Sequence, residues 1–284
     1  MSSNPPSRAL RLVRAVLAVL AVAVIVVLVL QSGATARAAD VRGDNGQDRY
    51  VGTGGLILPG GVDSRTRVDV AGCGGCRWRL SAPCALELPG TPFPGQSACL
   101  SVARGCPVSG ELLRVWFEPS GGAWTDRGLI CLQDGGPVTV ARLAGAARER
   151  FTHDLPPVVI GITPASGVLA QIPVVFASGQ PAGAFTARYD LLGEEVHLVG
   201  RPRWSWAFGD GATLVTDDPG GSYPHLAVSH AYRRAGREPV DLRTDWAASF
   251  TAAGLGPFPI TEPVSQTASR SVAVGEGRAL LAVR

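Results

Sequence analysis

Two periodicities divide the chain. In PVTVARLAGAARERF, residues 137–151, Val140, Leu143, Ala144, Ala147 and Phe151 recur at helical spacing, while Arg142, Arg148 and Arg150 fall mostly on the other, solvated face. Pro137 suits a first helical turn and DLPP closes the element, so a connecting helix is expected over 137–154. Beyond it the period shortens to two. In VDLRTDW, Val240, Leu242, Thr244 and Trp246 face one side, and Asp241, Arg243 and Asp245 the other. The runs QIPVVFASG, AFTARYDLL, EEVHLVG, RWSWAFGDG, LAVSHAY and SRSVAVGEGRALLAV are likewise bounded by Gly, Pro or Asp. About seven short strands over residues 155–284 predict a β-sandwich, and the chain as a whole reads as mainly β.

Residues 71–136 read as a smaller, Cys-rich β module. ELLRVWFEP and AWTDRGLICL flank Ser120-Gly121-Gly122 as a hairpin, with Trp116 and Trp124 on either side expected to pack a small core. The hairpin lacks the Asp of an Asp-box turn and occurs once, which excludes a propeller built of repeated blades. Residues 40–70 are polar and Gly-rich and read as a flexible linker. The RGD at Arg42–Asp44 is too short a motif to carry adhesion.

The N-terminal pattern is of another kind. Arg8, Arg11 and Arg14 precede AVLAVLAVAVIVVLVL, residues 15–30, and Ala36-Arg37-Ala38 follows as a small-x-small cleavage site. Residues 1–39 are therefore a secretory signal or, if Leu10–Val13 extend the apolar run toward the roughly 20 residues a span needs, an uncleaved anchor over residues 10–30. Either way the remainder lies outside the cytoplasm, at the surface or released, and only this segment meets the membrane.

Export decides how the cysteines read. Cys73, Cys76, Cys84, Cys99, Cys106 and Cys131 form an even set in one segment, and in an exported chain such a set implies disulfides, with the pairing left open. Zinc at Cys73-Gly-Gly-Cys76 lacks a second pair at similar spacing, and no thioredoxin-like pattern surrounds a redox CxxC.

Composition narrows function. Charged residues make up 17% of the 284, with 36 Gly and 22 Pro, which suits strands and turns. A net charge of +3 makes no case for nucleic acid. All 26 basic residues are Arg, which removes P-loop and Schiff-base chemistry, since both need Lys.

The remaining question is Gly209-Asp210-Gly211 in WSWAFGDGATL: phosphate cradle, metal loop or turn. Trp204, Trp206 and Phe208 share one strand face, and the glycines then permit a tight reversal. A dinucleotide fingerprint needs a third Gly where Leu214 stands, and a helix after it. The turn reading wins. Trp206, Phe208, Gly209, Asp210 and Gly211, followed by His230, Tyr232, Ala235, Gly236, Val240 and Leu242, resemble the polycystic kidney disease (PKD) domain pattern, and the layout resembles actinobacterial exported proteins with this domain at the C-terminus. The resemblance implies an immunoglobulin-like sandwich, with His230 bonded to the FGDG turn. Two departures stand out. Glu238-Pro239 replaces an aromatic-led start, so that strand is expected to begin late. TLVTDDPGGSYPHLA is a long excursion before His-x-Tyr.

No complete catalytic set appears. There is no Gly-x-Ser-x-Gly elbow, and four residues without a Glu separate His225 from His230. Asp217 and Asp218 are candidates for Ca²⁺ or, with Pro219, for a turn cap, and two carboxylates alone make a weak cage. No cofactor or resident metal is expected. Tyr223 and His225 with the two acids form a candidate recognition loop. The expected function is non-catalytic: exported binding or adhesion to an envelope protein or glycan. The alternatives are a membrane-anchored accessory subunit of a pilus or secretion machine, and a secreted hydrolase with an unfamiliar site.

Overall fold

The computed structural model describes residues 42–43, 48–59, 62–83, 106, 110–133 and 135–277. The signal or anchor segment, Cys84, Cys99 and residues 278–284 lie outside the described residues. Among the described residues, no helix is long and apolar enough to cross a membrane. Strands dominate, as the alternation predicts.

The first sheet is an antiparallel meander of β1 (Arg42–Gly43), β2 (Asp48–Thr53), β3 (Arg77–Ser81), β4 (Glu111–Glu118) and β5 (Thr125–Leu132), in that order. The stretch expected as a linker contributes β2 and a helix, α1 (Ser64–Ala71). Asp63 caps α1 by accepting from the Thr66 N–H at 2.9 Å. Val70 and Ala71 are buried, and Arg67 donates to the carbonyls of Leu58 and Ala253 at 3.1 and 2.7 Å. Polarity misled the reading of this helix because its exposed face is charged, while burial falls only on its last two residues.

Trp78, Leu80, Leu113, Val115 and Phe117 fill the core of this sheet. Trp116 is buried on the other face, its indole N–H on Ser81 Oγ at 3.1 Å. Trp124 does not enter a core; the guanidiniums of Arg79 and Arg77 lie 4.5 and 5.5 Å from its ring centre. Among the described residues two disulfides staple the module, Cys73–Cys76 between α1 and β3, and Cys106–Cys131 onto β5. Such bridges fit an oxidising compartment.

Helix α2 spans Val140–Asp154, starting three residues later than Pro137 suggested, because Thr139 takes the cap and leaves Pro137 outside. Leu143, Ala147 and Phe151 are buried. The helix is no mere connector. It lies on a sheet ordered β11-β10-β13-β14-β7, with β9 also paired to β10. In chain order the remaining strands are β6 (Gly161–Thr163), β7 (Val168–Leu169), β8 (Val174–Ala177), β9 (Phe185–Leu191), β10 (Glu194–Ala207), β11 (Thr213–Thr216), β12 (Ser229–His230), β13 (Gly236–Ala252) and β14 (Leu255–Gly275). A second, three-stranded sheet runs β12-β8-β6.

The strands are fewer and longer than the punctuation suggested. EEVHLVG and RWSWA merge into β10 because Gly200 is required by its neighbour: a Cβ there would sit 2.5 Å from Phe151 Cζ. Nor does Pro239 delay β13, which starts at Gly236. Pairing with β10 begins only at Asp241, so Pro239 has a strand neighbour on one side alone and its missing N–H costs little.

One face of the long sheet is buried in two halves. Val196, Leu198, Trp246 and Phe250 pack against α2, whereas Trp204, Trp206, Val240 and Leu242 pack against Val174 and Phe176 of the small sheet. Between the halves sits Gln180. Its Oε1 accepts from Trp204 Nε1 (2.9 Å) and Thr244 Oγ1 (3.0 Å); its Nε2 donates to the Pro156 carbonyl (3.0 Å) and Gln266 Oε1 (2.6 Å). The amide is saturated.

Gln180→Leu should therefore strand the Trp204 and Thr244 donors. We expect a loss of about 3 kcal/mol, read as a lower urea midpoint with unchanged slope. Gly200→Ala should cost about 1–3 kcal/mol in the same measurement, through overpacking against Phe151.

Candidate functional site

The FGDG reversal closes the end of β10. Phe208 N–H donates to the Ala212 carbonyl at 3.0 Å, and Asp210 Oδ1 accepts from Ala212 N–H at 3.1 Å. Gly209 and Gly211 hold φ of +90° and +93°, and a Cβ on Gly209 would meet the Pro239 carbonyl at 2.6 Å. Asp210 Oδ2 lies 2.8 Å from His230 Nε2. The His230 ring stacks on Phe208 (centroids 4.5 Å, 10° between planes) and meets Tyr232 edge-on at 4.7 Å. Trp206, Phe208 and Tyr232 are buried, while Gly236 opens β13 in solvent.

Electrostatics follow from this packing. Burial pushes the Asp210 carboxyl upward, but the hydrogen bonds from His230 and the Ala212 N–H outweigh it and hold the group below the usual carboxylate range. Burial, then the charges of Asp210 and Glu238, push the Tyr232 phenol up to about 12. The phenol hydroxyl has no hydrogen-bond partner among the described residues. Both Asp210 oxygens are engaged, so the arrangement braces the turn.

The excursion after β11 is ordered by its own polar contacts. Asp218 N–H donates to Thr216 Oγ1 at 3.0 Å, and Asp218 Oδ1 accepts from Gly220 N–H at 2.8 Å. Ser178 N–H donates to the Pro219 carbonyl (2.7 Å) and Gly221 N–H to the Phe176 carbonyl (3.1 Å), which lashes the loop to β8. His225 Nε2 stands 3.2 Å from both Asp218 oxygens. Asp218 and His225 are thus brought together. Asp217 turns instead toward Arg203, at 3.8 Å. Among the described residues, no group of three or more His, Cys, Asp or Glu gathers as a metal would require.

Tyr223 projects from this loop 75% exposed, and Leu226 is 50% exposed. Leu226 escaped the sequence reading because it opens LAVSHAY, which reads as a strand. His153 and His197 sit on the surface beside Asp154 and Glu195, away from the loop. Compared with known proteins, the chain matches no protein-family model and no curated protein sequence.

Because the Asp210 carboxyl is depressed in the fold, the unfolded chain holds that proton more tightly. Its stabilisation is complete above the unfolded value, about 4, and is lost as pH falls through the lower folded value. Asp210→Asn keeps an acceptor for Ala212 but loses the charge. We expect it to cost up to about 1 kcal/mol near neutrality, the turn being solvent-exposed, with a gap that narrows as pH falls below about 4 in paired melts.

Proposed function

We propose that the chain is an exported, non-catalytic binding protein. Its C-terminal half acts as an immunoglobulin-like sandwich of PKD type, offering the loop over residues 217–226 to a protein or glycan of the cell envelope. Support for the PKD reading comes from the two sheets facing across one aromatic core and from the braced FGDG turn. The observation that carries the binding role is Tyr223, an exposed ring on a loop already tied down by Asp218, His225 and β8. A pre-ordered aromatic loses little conformational freedom on binding and offers a face for sugar or apolar contact. The apolar N-terminal segment also favours a second reading, a membrane-retained accessory subunit of an envelope machine.

Binding of the whole chain to envelope fragments, divided into protease-treated and glycan-stripped fractions, tests the first reading. Saturable binding to one fraction, weakened about tenfold or more by Tyr223→Ala, is expected. Non-saturable binding, or equal binding by the variant, overturns it. Turnover of peptidoglycan or polysaccharide abolished by His225→Ala would install the hydrolase reading instead. Intact mass distinguishes release from retention, since cleavage after Ala38 removes the N-terminal segment.

A further inference from the structure

Strand β14 is 21 residues long, and β13 covers only one of its edges. On the other edge, β7 pairs with Val274 and Gly275 alone. Pro257, Pro259 and Pro263 guard its first half, where they lack an N–H. From 264 to 273 there is no Pro, and Arg270 is the single charge. Among the described residues, no backbone–backbone hydrogen bond from outside the sheet reaches this stretch, although the Gln266 and Arg270 side chains donate to the Pro156 and Ile160 carbonyls. Sheets normally protect such edges, because they template the addition of another strand.

We infer that this edge pairs with the same edge of a second copy, antiparallel, about a two-fold axis at Ala268. The stretch 264–272 reads VSQTASRSV, nearly a palindrome about Ala268. Opposite residues in a sheet share a face, so the axis must fall on a residue. With Ala268 on the axis, Val264 faces Val272, Ser265 faces Ser271, Gln266 faces Arg270 and Thr267 faces Ser269. Apolar meets apolar, hydroxyl meets hydroxyl, and neither Arg270 faces its counterpart. The structure limits the register independently. Pro263 ends the available edge on one side and β7 on the other, and the midpoint of what remains is Ala268 within one residue. An axis at Thr267 would set Pro263 against Ser271, and one at Ser269 would drive Val264 onto the position β7 occupies. Nine paired residues supply about eight to ten backbone hydrogen bonds, and the contact is isologous, so it closes at two copies. Thr267 and Ser271 are exposed in the single chain, whereas the Ser265 and Ser269 hydroxyls donate to Asp245 and Asp241 on β13.

Sedimentation equilibrium of the whole chain in mild detergent, across a concentration series, should show dimers. Thr267→Lys with Ser269→Lys sets like charges opposite one another and should weaken association about tenfold or more, whereas Thr267→Lys with Ser269→Glu should restore it. Ala268→Cys should form an intermolecular disulfide and Ser271→Cys should not, since its counterpart lies about six residues along the strand, some 20 Å away. Near-UV circular dichroism confirms the fold of each variant, and the two cysteine substitutions suffice if the charged pairs fail to fold. A monomer throughout the series, equal behaviour of the two charge variants, or equal cross-linking at positions 268 and 271 overturns the proposal.

Discussion

A single buried amide holds the long sheet in register with everything laid on it. Gln180 has no spare hydrogen-bonding capacity: two donors reach its oxygen and its two N–H groups reach acceptors from separate segments. Each partner belongs to a different element, Trp204 to β10, Thr244 to β13, Gln266 to β14 and Pro156 to the exit of α2. Apolar packing tolerates sliding by part of a residue, because dispersion is non-directional. Four hydrogen bonds converging on one amide do not. The helix-covered and sheet-covered halves of the core are therefore fixed relative to each other at the point where they would otherwise slip. A buried network of this kind is valuable only when complete, since a single orphaned group inside it costs more than the network contributes.

That rigidity has a consequence at the sheet end. The FGDG turn and the 217–226 loop leave and re-enter the same framework, one between β10 and β11 and the other between β11 and β12 with ties to β8. Asp210 and His230 clamp the turn beneath a stack of aromatic rings, so polar groups there serve the scaffold. Asp218 and His225 perform a similar service farther out, where Tyr223 and Leu226 remain in solvent. Two Asp–His pairs of like composition thus differ in role through burial alone. The inner pair stiffens the fold, and the outer pair stiffens what the fold displays.

Much of this was legible as alternation. Val240, Leu242, Thr244 and Trp246 face inward together, and Trp204 and Trp206 do the same on β10, because a half-buried strand writes its two faces into successive residues. Punctuation was less dependable. Gly200 and Pro239 resemble strand breaks, yet one admits a phenyl ring and the other stands where a strand has a single neighbour. The role of Gln180 left no local mark, since it depends on residues from positions 156 to 266. Helix α1 was hidden because most of its surface is solvated and only its last residues reach a core. Of the candidate loop, its length and polar content were visible, but not the division between Asp218, which meets His225, and Asp217, which meets Arg203.

The topology also separates the two surfaces argued to meet partners. In the order β11-β10-β13-β14-β7, the proposed recognition loop departs from β11 at one margin, while the unguarded stretch of β14 lies toward the other. A copy added along β14 would extend the sheet away from the loop, leaving Tyr223 uncovered in both chains. Two loops held at the far margins of one continuous sheet would then act together on a repetitive surface. The second contact becomes intramolecular once the first is made, which multiplies a weak single-site affinity without adding a contact. If the loop binds as proposed, one exposed ring and a few polar groups would make it a modest binder by itself. Its effectiveness on an envelope would rest on being presented twice, at a spacing set by rigid strands rather than by a flexible tether.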